Sequence, residues 1–116
     1  MVREIDSYKS NVDEELRKQR SERILEKGKL PIVALASSDS TINRRHIRYE
    51  VSRDSDLAQF NYILRTEVSL KKEEGLFMFI GNTQAPVTVS LQHLYEQYKD
   101  EDGYLYVVFT NMEDKG

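Results

Sequence analysis

Five consecutive apolar residues, Leu76-Phe77-Met78-Phe79-Ile80, run straight into Gly81-Asn82. The run is too short for a helix of ordinary length and far below the about 20 residues that cross a bilayer. As a strand it carries apolar side chains on both faces. Both faces must then be covered, which places the strand at the centre of a sheet with layers above and below it.

The rest of the chain supplies the partners. Leu30–Ala36 is short, apolar and partly β-branched, without helix caps, and predicts a second strand. A polar loop, Ser37–Asn43, follows. Ile47, Tyr49 and Val51 then alternate with Arg48, Glu50 and Ser52, the period of a half-exposed strand. The two strands are expected to pair antiparallel across that loop. Tyr104–Thr110, after the turn residues Asp102-Gly103, is rich in β-formers and predicts the last strand.

Helical spacing appears in three places. Tyr8, Val12 and Leu16 recur every fourth residue, and Ile24 and Leu25 restore the stripe, so residues 8–27 read as helix with Gly28 as its stop. A break near Gln19–Ser21 would make two short helices, and the pattern leaves both open. Asp56 with Gln59 forms a capping box ahead of Leu57, Phe60, Ile63, Leu64 and Val68. Ser90 precedes a helix with Leu91, Leu94, Tyr95 and Tyr98 on one side. The order helix(es)-β-β-α-β-α-β predicts an α+β fold. It divides as a helical extension over residues 1–28 and a main domain over 29–116.

Composition narrows the chemistry. At 116 residues the chain suffices for one domain with its own core. It has no Cys, which excludes disulfides, thiolate metal sites and a Cys nucleophile. Its net charge of −3 gives no global basic field for nucleic acid or an anionic membrane. No apolar stretch follows Met1, so no signal peptide is expected, and cytosol or nucleus is the default compartment.

Catalysis has little to stand on. His46 and His93 lack metal-ligand spacing, and His46 falls within Arg44-Arg45-His46, expected to be a solvated loop. The glycines are too scattered for a phosphate cradle. Glu73-Glu74 and Asp100-Glu101-Asp102 read as solvated carboxylates flanking turns. No enzyme activity, cofactor or metal is expected.

Binding has more. Arg44, Arg45, His46, Arg48 and Arg53 form a basic strip on or beside the second strand. Such a strip either blocks edge aggregation or rims a groove in which a peptide adds a strand, and the pattern supports both. Gly116 follows the polar stretch Asn111–Lys115. It is either incidental or a conjugating residue, since a glycine carboxylate threads an active site that any Cβ would obstruct.

The element order and several local stretches resemble the autophagy ubiquitin-like modifiers of the GABARAP and microtubule-associated light-chain type. The stretches are Val51 to Phe60 with Gln59-Phe60, Leu76–Ile80, Leu94-Tyr95, and Asp102 with Leu105-Tyr106. Tyr8-Lys9 and Arg20-Ser21-Glu22 match more loosely. The resemblance implies a ubiquitin-like β-grasp with an N-terminal helical extension. It implies conjugation of Gly116 to phosphatidylethanolamine on autophagosome membranes, with the carboxylate adenylated and then passed as thioesters along an activating-type and a conjugating-type enzyme. A processing or delipidating cysteine protease is a further implied partner. The protein would be cytoplasmic, and on the autophagosome membrane when lipidated. A chain ending at Gly116 would be either processed or encoded that way.

The same resemblance implies docking of receptors and adaptors through short aromatic-x-x-aliphatic motifs added along the second strand. Ile24, Pro31, Val33, Arg48 and Tyr104, with Glu22, would line an aromatic pocket. Tyr49, Val51, Phe60, Ile63 and Leu64 would line an aliphatic one, and Lys29 would contact the flank of the motif. Val33, Phe60 and Leu64 equally suit the core. Glu50 stands at the pocket border where relatives have leucine, Glu67 where many have arginine, and Ser52 replaces a proline. The two carboxylates predict a narrow ligand set that disfavours acidic motifs. The alternatives are a non-conjugated peptide-binding module and a tubulin- or nucleic-acid-binding protein using the basic strip. The net charge and the lack of an aromatic stacking platform oppose nucleic acid.

Overall fold

The structure, a computed structural model, describes residues 2–112. Two helices, α1 (Val2–Asn11) and α2 (Glu14–Glu26), precede β1 (Lys29–Ala36) and β2 (His46–Ser52). Then come α3 (Leu57–Glu67), β3 (Phe77–Ile80), β4 (Thr83–Gln84), α4 (Leu91–Tyr98) and β5 (Leu105–Thr110). The strands form one mixed sheet in the order β2-β1-β5-β3-β4. β1 pairs antiparallel with β2 and parallel with β5, and β3 pairs antiparallel with β5 and β4. This is the expected α+β, β-grasp arrangement, with the first two strands paired as predicted.

Alternation along β1 and β5 divides the core in two. Leu30, Ile32, Ala34, Leu105, Val107 and Phe109 face the main core, with Phe60 and Leu64 of α3 and Leu91, Leu94 and Tyr95 of α4. Val33, Leu35 and Tyr106 point the other way, with Tyr104, onto Tyr8 of α1 and Ile24 of α2. The sheet is therefore covered on both faces where β1 and β5 lie.

That division corrects the reading of Leu76–Ile80. The central strand is β5, buried at all six positions. β3 lies one strand further out and alternates half-buried Phe77 and Phe79 with buried Met78 and Ile80. The cluster beneath α1 and α2 takes nothing from β3, so its second apolar face is only partly covered. Gly81-Asn82 ends β3 as expected, and it also builds a turn the sequence reading did not extend. Both residues have positive φ, 58° and 63°, the conformation of a tight hairpin turn. The chain returns as the two-residue β4, pairing Ile80 with Thr83. A Cβ on Gly81 would collide with the Tyr98 ring.

The helix break also moves. It falls at Val12-Asp13 and not near Gln19–Ser21, because the Asp13 carboxylate accepts the Leu16 N–H at 3.3 Å and starts α2. The capping box of α3 forms as predicted, with Asp56 and Gln59 exchanging 2.8 and 2.9 Å bonds. Ser90 caps α4 through His93 N–H at 3.2 Å.

Candidate peptide-binding groove

β2 is an edge strand. One side pairs with β1 at seven positions from His46 to Ser52, and no described strand takes the other. Its free N–H and C=O groups can accept an added strand. Side chains alternate across it: Ile47, Tyr49 and Val51 are buried or half-buried toward α3, whereas His46, Arg48 and Glu50 are exposed.

Between α2 and β2 lies a cleft of about 380 Å³. Ile24 and Tyr104 supply its apolar side chains, and Tyr49 borders it from β2. Four cations, Arg20, Arg23, Lys27 and Arg48, surround it with the single carboxylate of Glu50. Lys27 Nζ reaches Glu50 Oε1 at 3.1 Å, tying the end of α2 to the edge strand. Arg20, Arg23 and Arg48 make no ion pair among the described residues. Burial raises the phenol pKa values of Tyr8 and Tyr104, and the charges of Arg48 and Arg20 oppose that rise at both rings. Both positive charges thus act on the same pair of phenols.

On the other face, the Tyr49 ring stands edge-on against Phe60, centroids 5.1 Å apart at 82°. The Tyr49 hydroxyl is sealed from solvent and has no hydrogen-bond partner. Burial, followed by the charge of Glu67, pushes this phenol up to about 12, with Arg44 opposing. Arg44 and Glu67 themselves pair at 3.5 Å. A sealed hydroxyl without a partner costs stability. Tyr49→Phe should therefore raise the unfolding free energy by about 1 kcal/mol, read as a higher midpoint in urea. A lower midpoint would mean that the hydroxyl is satisfied in solution.

Of the predicted site residues, Ile24, Arg48, Tyr49, Glu50 and Tyr104 gather at the cleft. Glu22 and Lys29 are exposed and do not line it. Pro31 is buried in β1. Val33 has no exposed surface and lies in the cluster beneath α1 and α2, so it is core and not a pocket wall. Val51, Phe60 and Leu64 belong to the main core, while Ile63 remains 41% exposed on α3. Gly116 lies outside the described residues. Sequence reasoning missed Arg20, Arg23 and Lys27. With Ile24 they repeat at i, i+3, i+4 and i+7, one helical face, which was the available signal.

The basic strip does not exist as a strip. Arg45 clamps the carbonyls of Ser37, Ser40 and Ile42 at 2.9–3.2 Å. Arg53 binds Gln92 at 2.9 Å. His46 opens β2, not a loop, and its ring lies 5.6 Å from that of Tyr8. Arg44 is held by Glu67, and Arg48 alone of the five enters the cleft. His93 is exposed on α4, as expected.

The cleft exists because α2 is fastened to the sheet, and here a second sequence reading fails. Asp102 is not solvated; it is 2% exposed. Its Oδ2 accepts Arg17 Nη1 at 2.7 Å and the Tyr106 hydroxyl at 2.5 Å, and its Oδ1 accepts Tyr104 N–H at 2.9 Å. Ser21 Oγ donates to the Asp102 carbonyl at 2.5 Å. Gly103 has φ +91°, and a Cβ there would strike Ser21. Asp100 pairs with Lys9 of α1 at 2.5 Å. Burial alone would raise the Asp100 carboxyl, but the hydrogen bond and charge of Lys9 together with the Asp102 N–H outweigh it, and the net shift is downward. Two of the three acidic residues of the turn thus hold the N-terminal helices.

Among the described residues no three His, Asp or Glu side chains are placed to hold a metal ion, and no helix is long and apolar enough to cross a membrane.

Comparison with known proteins agrees with this geometry. The sequence pattern of the family described as "Autophagy protein Atg8 ubiquitin like" matches residues 15–116. Autophagy-related protein 8 of Vanderwaltozyma polyspora is 35% identical over 107 residues, covering 90% of this chain and 91% of its own. The protein of that name from Saccharomyces cerevisiae is 33% identical over 107 residues, covering 90% and 92%. The crystal structure of Trypanosoma brucei ATG8 superposes with a TM-score of 0.84 at 30% identity, over 94% of this chain and 97% of that one. Plasmodium falciparum Atg8, solved in complex with a Plasmodium falciparum Atg3 peptide, gives 0.77 at 26% identity, over 91% and 96%. Sequence and fold together make this chain a member of the Atg8 family of autophagy ubiquitin-like proteins.

Proposed function

We propose that this chain is a lipid-conjugated autophagy modifier that also docks peptide ligands in the α2–β2 cleft and along β2. The reading of conjugation is supported by the family match, which runs to residue 116. The Gly116 carboxylate is adenylated by an activating-type enzyme, moves as a thioester to a conjugating-type enzyme, and forms an amide with the amine of phosphatidylethanolamine, releasing the enzyme thiol. The modifier contributes the carboxylate and the surfaces by which enzymes hold it. A cysteine protease processes or delipidates it, and the protein moves between cytoplasm and autophagosome membrane. An Atg3 peptide bound to the Plasmodium relative supports contact with a conjugating enzyme here.

The cleft carries the docking reading. An unpaired strand edge beside an apolar pocket with charged walls suits an extended aromatic-x-x-aliphatic segment of a receptor or adaptor. The aromatic residue enters between Ile24 and Tyr104. The aliphatic residue lies over Tyr49 and Ile63, with Val51, Phe60 and Leu64 as the packed support beneath. The flank preference expected from Glu50 and Glu67 changes sign. Each carboxylate is engaged by a cation of the same chain, and the cleft holds four cations against one acid. Acidic flanks are favoured.

Losing a pocket contact worth about 1.5–3 kcal/mol weakens binding roughly ten- to hundredfold. Ile24→Ala and Tyr49→Ala should each show this in titration calorimetry with one aromatic-x-x-aliphatic peptide. Ile24 is 8% exposed, so its melt must be recorded beside the titration. Unchanged affinity in both variants would remove the groove reading. The tubulin alternative draws no support from the dispersed arginines.

A further inference from the structure

We propose that the α2–β2 cleft accepts a phosphorylated tyrosine as its aromatic anchor, with the phosphate held among Arg20, Arg23 and Arg48. The proposal rests on the docking reading above and goes beyond it by naming the modified side chain.

Three observations carry it. The first is an unmatched charge. In a chain with 20 acidic residues and a net charge of −3, Arg17, Arg44, Lys9, Lys18 and Lys27 all find carboxylates. Like several other cations of the chain, Arg20, Arg23 and Arg48 pair with no carboxylate among the described residues, but these three open together on one cleft. Holding three like charges together costs free energy that a bound anion recovers. The second is convergence. Arg20 and Arg48 line the cleft together with Tyr104, and their charges act on the buried Tyr104 phenol from there. The third is shape. Ile24 and the Tyr104 ring offer an apolar slot for an aromatic ring, and about 380 Å³ lies within the range of small-ligand sites.

Phosphotyrosine joins the features these residues call for. It has a ring for the slot and, at its end, a group of charge about −1.5 to −2 with three acceptor oxygens. Guanidinium forks match phosphate oxygens in pairs, as one ammonium cannot. The cleft's carboxylate, Glu50, is already engaged by Lys27 and so opposes the phosphate less.

The sign of the phosphorylation effect decides. A cleft built for a bare ring would reject a dianion, because removing it from water is costly. Three peptides identical except for phosphotyrosine, tyrosine or phenylalanine at the anchor are titrated into the full chain by fluorescence anisotropy. The phosphotyrosine peptide should bind at least about tenfold tighter than the tyrosine peptide at low salt, with the gain shrinking as salt rises. Arg20→Gln and Arg23→Gln should each reduce that gain several-fold while costing the tyrosine peptide less, with unchanged melts. Inorganic phosphate should displace the phosphotyrosine peptide more effectively than the tyrosine peptide. Equal or weaker binding of the phosphotyrosine peptide, while the other two bind, overturns the proposal and leaves the groove intact. Failure of all three to bind overturns both.

Discussion

Replacing Arg17 by methionine is expected to lower the unfolding free energy by about 3–5 kcal/mol, the cost of leaving a buried charge without its partner. For a domain of this size that is a fall of roughly 10–25 °C in the melting midpoint. Arg17 does more than neutralise Asp102. Its Nε–H donates to the Val12 carbonyl at 2.9 Å, at the break between α1 and α2, while Nη1 holds Asp102 at 2.7 Å. One guanidinium thus fixes the helix junction to the turn before β5. Without it, Asp102 keeps the Tyr106 hydroxyl and the Tyr104 N–H but loses its counter-charge. Adding Asp102→Asn to Arg17→Met removes the stranded charge, so the double variant should be more stable than Arg17→Met alone. Peptide affinity should fall with Arg17→Met even below the melt, since α2 carries one wall of the cleft. A loss under about 1 kcal/mol, the range of an exposed pair, would contradict the account.

The second large effect is all-or-none. Deleting Gly116, or changing it to alanine, should abolish attachment to membranes while leaving the melt and the peptide affinity near those of the unaltered chain. Under the proposed conjugation, deletion removes the carbon whose carboxylate would be adenylated. Alanine keeps a carboxylate but adds a Cβ that the narrow channels of the conjugating enzymes would meet. The two proposed functions are separable because the cleft is built from α2, β2 and Tyr104, all of which lie before residue 112. A lipid-linked species from the deleted chain would show that attachment uses another residue.

Most of the fold is legible in the hydrophobic pattern, because burial of one face at a time writes period 2 or period 3.6 directly into the residues. Ile47, Tyr49 and Val51 show it on β2, and Leu57, Phe60 and Leu64 on α3. The reading fails where burial is set by neighbours and not by the segment itself. Leu76–Ile80 and Tyr104–Thr110 are similarly apolar, and only the sheet order makes β5 the centre. β4 has two residues, both exposed, and leaves no pattern to read. The site divides the same way. Tyr49, Arg48 and Glu50 show on an alternating strand, whereas Arg20, Arg23 and Lys27 form a helical stripe that looks like any charged, solvated helix face until β2 is placed beside it. Asp102 looked solvated because its partner lies 85 residues away, and hydropathy cannot match a buried acid to a distant arginine. The resemblance marked Asp102 as special without saying that its task is to hold α2.

The measurement that bears most directly on the proposed role is mass spectrometry of the pool of this protein that sediments with membranes in autophagy-induced cells. The account predicts a C-terminal peptide whose Gly116 carries phosphatidylethanolamine through an amide, absent from the Gly116-deleted chain and released by a delipidating cysteine protease. A membrane pool consisting only of the unmodified chain would contradict it.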